Sequence, residues 1–464
     1  MSPEFSRFEK KDLELITRIV GETNITTDES ELLINATDAL PGEWKMPDVV
    51  VWPQNTEQVS KIISYAAERN IPVTPRGAGS SLSGNVLPIY HGIVLNFRRM
   101  NSMLEIREKD LQVRVGPGIV YDEMNAKLRP FNLFFPPDPG SSSVCTIGGM
   151  VANNASGLGA VRYGVTRDYV LGLEVVLPNG KIIRTGSRAV KSSSGYDLIG
   201  LFVGSEGTLG AITEVTLKLR TLPPARKTAT SYFNSASSAG DAVSEIMRSG
   251  LNPAALEFLD RQTISAINRA ESLKLFEREA MLLIEFHGSE EAAIRELEFA
   301  LDICKKHGAN EILEAKDEDE RTKLWAGRKG AYPSLVQSSP NSIIGDIVVP
   351  ISAIAEMLEK AYEIAAQNSV KLACFGHCGD GNVHPTILSD RADHGLWSRA
   401  LRTNEEIVAY AIKLGGVASG EHGIGVEKKQ FMQLEHGDSL VLMKEIKKLF
   451  DPGNIMNPGK FFDL

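Results

Sequence analysis

The stretch HCGDGNVH (377–384) sets two imidazoles seven positions apart around the turn formers Gly379, Asp380, Gly381 and Asn382. Further on, GGVASGEHGIG offers Glu421 and His422 in a second glycine-rich loop, so three of the chain's eight histidines fall in two short segments. Imidazole and carboxylate donors suit zinc, iron or manganese. A set of two His and one Glu leaves positions open for a substrate, as a catalytic metal requires. The competing account is that His377 and His384 only hydrogen-bond within a turn, a role histidine fills as readily.

A second chemistry is suggested by PRGAGSSLSG (75–84), TIGGMVANNASG (146–157) and VGSEGTLGAIT (203–213), which hold more Gly and Ser than turns require. Without a Cβ the backbone can approach a phosphate, and successive N–H groups form an anion-binding nest. One such loop is as well explained as a structural turn, but three within one α/β region point to a dinucleotide. The spacing does not give a strand, G-x-G-x-x-G, helix unit with an acid about 20 residues on, so Rossmann binding is not expected.

The elements that must position these loops follow from hydrophobic period. DVVVW (48–52), an amphipathic helix over 56–69 and IPVTP read as strand, crossover helix, strand; GIVLNF and LQVRVG are further strands. LGLEVVLPNGKIIRTG carries Asn179-Gly180 between apolar runs, a hairpin signal. After Pro223-Pro224 strands such as MLLIEFHG (281–288) alternate with helical patterns over 290–308 and 351–368, implying a sheet covered by helices. KLACF and VHPTIL flank the histidine turn as strands, and a last helix, SLVLMKEIKKLF, precedes a tail whose phenylalanines are expected to dock.

A chain of 464 residues exceeds one ordinary core, so two or more domains are expected. A net charge of -9 without clustered Lys and Arg argues against nucleic acid. No apolar run is long enough for a bilayer span, and the N-terminus lacks a signal-peptide pattern. Cys145, Cys304, Cys374 and Cys378 are too scattered for a disulfide framework or a cluster, and are read as buried thiols in a cytoplasmic protein.

PRGAGSSLSG, PPDPGSSSVCTIGGMVANNASG, VRYGVTRDYV and VGSEGTLGAITEVTLKL together resemble the FAD domain of the vanillyl-alcohol oxidase/PCMH superfamily. Within it they resemble the branch of the glycolate oxidase flavin subunit and the FAD-linked D-lactate and D-2-hydroxyglutarate dehydrogenases. The resemblance runs from DVVVWP to NPGK. It implies an α+β chain: a PCMH-type FAD-binding domain of two α/β subdomains over 1–222, an α+β substrate (cap) domain with an antiparallel sheet over 223–417, and a C-terminal segment, 418–464, returning to the FAD domain.

By the same resemblance Pro75, Arg76, Gly77, Ala78, Gly79, Ser80, Ser81 and Gly84 wrap the pyrophosphate. Pro137, Asp138, Ser141, Thr146, Gly148, Gly149, Asn153, Ser156 and Gly157 line the flavin, with Gly207 and Ile212 toward the adenine and Asn457 contributing from the tail. Covalent members attach FAD through a histidine in the first loop; Arg76–Gly84 has none, implying non-covalent FAD.

HxGDGNxH followed by EHG resembles the metal signature of D-2-hydroxy-acid dehydrogenases, implying His377, His384 and Glu421 as ligands and His422 as catalytic base. Arg328 matches an arginine that binds the substrate carboxylate. Where the hydroxyglutarate type has a lysine, this chain has Ile344 and Gly345 before Asp346, implying a substrate with a single carboxylate, D-lactate or glycolate. The electrons would leave to an iron–sulfur subunit or to an electron-transfer flavoprotein, the latter with electron bifurcation. A homo-oligomer is left open. The alternatives are a D-2-hydroxyglutarate dehydrogenase and an alkyl-dihydroxyacetone-phosphate synthase-like enzyme.

Overall fold

Val49–Val51 is buried on both faces, and its β-branched run pairs in parallel with Ile93–Asn96, which pairs in parallel with Val73–Arg76. The helix Thr56–Arg69 makes the crossover: Asn55 caps its N-terminus by accepting from the Gln58 amide, and Asn70 ends it in the left-handed region. The crossover skips one place, because Ile93–Asn96 sits between the two strands that the helix joins. Val59, Ile62, Ile63 and Ala66, at helical spacing, face that sheet and are fully buried.

The computed structural model describes residues 5–42, 44–271 and 273–464 and divides into two units. The first comprises 1–156, 165–222 and 421–464; the second comprises 157–164 and 223–420. Thus the short run 157–164 departs from the 1–222 domain expected from sequence, and the return to the first unit starts at Glu421 rather than 418.

The first unit adds a five-stranded antiparallel sheet that includes the hairpin Val170–Val176 with Ile182–Gly186. In the tail, Phe461 and Phe462 pack beside Ile424, Met432 and Leu440.

The second unit is built on one antiparallel sheet, with Ala255–Asp260, Ala280–Gly288, Lys371–Gly376 and Asn382–Ser389 among its strands. Its interior is mostly apolar, and the buried acids it does contain include Glu257 and Glu285. A buried carboxylate must be paired and hydrogen-bonded. The helix Glu318–Lys329 supplies both partners from one face, through Arg321, Trp325 and Arg328.

Glu285 accepts from Thr228 Oγ1 (2.6 Å), Arg321 Nε (2.8 Å) and Trp325 Nε1 (2.6 Å), and lies 2.6 Å from His287 Nε2. Burial alone would push its carboxyl up. Hydrogen bonds from His287 and Arg321, with the Arg321 charge, overcome that and hold it at about 2.

Two predictions follow from this packing. Ile62→Ala should lower unfolding stability by about 2–4 kcal/mol, whereas Leu33→Ala, at a position 51% exposed, should change it by less than about 0.5 kcal/mol, both read from urea unfolding. Because the folded Glu285 carboxyl lies below its unfolded value, its contribution is complete above about pH 4.5 and is lost as pH falls toward 2, about 3 kcal/mol in all. The wild-type urea midpoint should therefore fall more steeply than that of Glu285→Gln between about pH 5 and about pH 3; parallel slopes would refute the pairing.

Candidate active site

In the first unit a cavity is lined by Pro75, Arg76, Gly77, Thr146, Gly148, Gly149, Asn153, Gly207 and Ile212, all expected from sequence. The structure adds Asn85, Val86, Phe97, Pro117 and Glu206 to the wall. This lining fits a dinucleotide, since bare glycine backbone offers N–H donors while Val86, Phe97, Pro117 and Ile212 give apolar walls for a ring. At Gly77 a Cβ would lie 2.3 Å from Thr146 Oγ1, so the loop closes only with glycine there.

Ala78, Gly79, Ser80, Ser81 and Gly84 continue that loop, and Pro137, Asp138, Ser141 and Ser156 lie on neighbouring segments, all outside the lining of this cavity. Gly157 belongs to the run assigned to the second unit. The Arg76 guanidinium donates to the carbonyls of Thr37 (2.6 Å) and Ile34 (3.2 Å), and burial pushes it down to about 10. With its side chain so engaged, an anion in the loop would meet backbone N–H groups. Asn457 Nδ2 donates to the carbonyls of Asn85 (2.8 Å) and Glu206 (2.7 Å), fastening the tail to the cavity wall.

Glu206 was not anticipated. It is buried, holds a φ of 50°, and accepts the amides of Ile424 (2.6 Å) and Gly425 (2.9 Å). Burial pushes its carboxyl up, against those two N–H groups. Asn153 Nδ2 donates to the His422 carbonyl at 3.2 Å, so the EHGIG segment is tied to two residues of the cavity wall.

In the second unit, Lys371–Gly376 and Asn382–Ser389 flank a short turn at Cys378–Asp380. Register pairs Phe375 with His384 and with Leu259, and Phe258 with Gly376, so the next position sets His377 opposite Glu257. The two imidazoles are buried, stand edge to face at 5.4 Å and each have Nδ1 anchored. His377 Nδ1 is 2.9 Å from both Glu257 oxygens, and His384 Nδ1 is 3.3 Å from the Gly345 carbonyl.

Arg328 is buried and donates through Nε to Glu257 at 2.7 Å, with its guanidinium 5.1 Å from the Phe375 ring. Cys374 and Cys378 lie in the same segment as buried free thiols, and burial pushes both well up.

Asp346, fully buried, accepts from Asn382 Nδ2 (3.0 Å), Ser419 Oγ (2.7 Å) and the Gly420 amide (3.0 Å). A Cβ at Gly420 would lie 2.6 Å from Asn382 Nδ2, so this approach requires glycine. Glu421 and His422 are the next two residues in the chain. Among the described residues, two groups of side chains could share an ion: His377, His384 and Glu421, or Asp346, His384 and His422, the ligand atoms of each group lying within 4.8 Å of one another.

Sequence reasoning missed Glu257, Glu285, Asp346 and Glu206. The signal for the first two was an acid set between apolar residues in each of the strands ALEFLD and LLIEFH.

Comparison with known proteins agrees with this geometry. Residues 47–186 match the FAD binding domain family, and 222–461 match the C-terminal domain of FAD linked oxidases. The chain is 40% identical over 451 residues to the glycolate oxidase subunit GlcD of Bacillus subtilis, covering 97% of this chain and 96% of that one. It is 37% identical over 454 residues to the mitochondrial D-lactate dehydrogenase (cytochrome) of Arabidopsis thaliana, covering 96% and 80%.

Among solved structures, p-cresol methylhydroxylase has the same fold with a TM-score of 0.80 at 18% identity, covering 98% of this chain and 96% of that one. Alkyldihydroxyacetonephosphate synthase follows with a TM-score of 0.77 at 18% identity, covering 98% and 87%. With the glycine-lined cavity, the two matched domains and full-length relatives in agreement, the chain belongs to the FAD-linked oxidases, in the branch of the glycolate oxidase flavin subunits and D-lactate dehydrogenases.

Proposed function

We propose that the chain oxidises a small D-2-hydroxy acid, D-lactate or glycolate, to the 2-oxo acid, using non-covalent FAD and a divalent ion held by His377, His384 and Glu421. The observation that carries this reading is the anchoring of both buried imidazoles at Nδ1, by Glu257 and by the Gly345 carbonyl. A ring that donates from Nδ1 presents its lone pair at Nε2, the arrangement that ligation needs. The names of the relatives, glycolate oxidase subunit and D-lactate dehydrogenase, support the substrate class.

Bound FAD would accept the substrate's carbon-bound hydrogen as hydride at N5. A divalent ion at those ligands would lower the pKa of the substrate hydroxyl. His422, whose backbone is fastened to Asn153, takes the hydroxyl proton on its imidazole. Arg328, with Nε and Nη2 held by Glu257, offers its remaining N–H groups to the substrate carboxylate. Ile344 and Gly345 provide no cation for a second carboxylate, which favours lactate or glycolate over hydroxyglutarate. Reoxidation would fall to a separate acceptor, an iron–sulfur subunit or an electron-transfer flavoprotein, in the cytoplasm.

Treatment with a chelator should abolish dye-coupled turnover of D-lactate or glycolate, and refilling with one of zinc, manganese or iron should restore it. Undiminished turnover by metal-free protein, or turnover of L-lactate alone, would overturn the reading. His422→Asn should lower kcat by about 10²-fold or more while leaving metal and FAD content unchanged. Acid precipitation should leave the protein pellet colourless, with all flavin in the supernatant.

A further inference from the structure

Glu257 is buried, at 1% exposure, in the middle of an apolar strand, where an unpaired carboxylate would be costly. Its two oxygens meet two groups from different elements. His377 Nδ1 lies 2.9 Å from each oxygen, and Arg328 Nε and Nη2 each lie 2.7 Å from Oε2. The remaining contact in the triad, Arg328 Nη2 to His377 Nδ1, is 3.5 Å and joins two donors, so the carboxylate alone takes the Nδ1 proton.

We propose that Glu257 is a positioning residue that couples ion binding to substrate binding. It fixes the His377 tautomer and ring plane so that Nε2 faces the ion, and with the same carboxylate it holds the Arg328 fork for the substrate carboxylate. A structural ion pair would need only the arginine; the histidine contact to both oxygens gives the carboxylate its second task. The inference rests on the proposed ion at His377, and its test is built to fail separately from that reading.

The test is zinc affinity of the FAD-loaded protein, read by competition with a chromophoric chelator, together with KM and kcat for D-lactate and glycolate. Glu257→Gln should weaken zinc binding by about 10–100-fold and raise KM more than it lowers kcat at saturating metal. Glu257→Asp, which keeps the charge but withdraws it by one methylene, should fall between the two. It also serves as the test variant if the glutamine form does not fold. FAD content and urea midpoint report folding independently. Wild-type affinity for zinc in either folded variant would overturn the role of Glu257, while a wild-type protein that binds no divalent ion would overturn the functional reading itself.

Discussion

The cost of burying charge in an apolar sheet organises the second unit. Glu257 and Glu285 stand buried on adjacent strands among mostly apolar neighbours, and each is met there by donors. Arg321, Trp325 and Arg328, at helical spacing, answer both acids from one helix face. The placement of Arg328 is therefore set by electrostatics at a fixed strand register, while the outer face of the same helix carries Glu318, Asp319 and Glu320, which help its N-terminus and face solvent. Removing Glu257 would leave the buried Arg328 without that partner, whereas Arg321 would keep Glu318 if Glu285 were removed.

The first unit solves a different problem with backbone. Its cavity wall includes Gly77, Gly148, Gly149, Gly207 and Gly210, whose bare backbone lets N–H groups approach a diphosphate. Arg76, the one guanidinium in that wall, is occupied by carbonyls, and Glu206 accepts amides from the EHGIG segment. Charge at this cavity thus serves to fasten segments, and the glycine backbone is left to meet the cofactor.

Much of this was legible in the sequence where the cause is local. The helix over 56–69, the Asn179-Gly180 hairpin and the two strands flanking the histidine turn follow from period and turn chemistry, and the structure has them at those positions. The glycine-rich cavity residues were legible because function had displaced the residues that packing alone would choose. Strand order was not, since inserting Ile93–Asn96 between its neighbours depends on pairing between distant segments. Nor was the transfer of 157–164 to the second unit, for LGAVRYG carries no boundary composition; what holds it there is contact, with Tyr163 2.7 Å from His287 and Val161 packed on Gly379. The buried acids could have been read from their apolar surroundings, but their partners could not.

The passage from Gly420 to Gly425 shows how local bonds settle what spacing leaves open. At one end, Asp346 holds Ser419 and Gly420 beside Asn382, which opens the strand that carries His384. At the other, Asn153 and Glu206 hold His422, Ile424 and Gly425 to the wall of the glycine cavity. Each part of the passage is thus fixed by bonds within its own unit: Gly420 by Asp346, and Ile424 and Gly425 by Glu206.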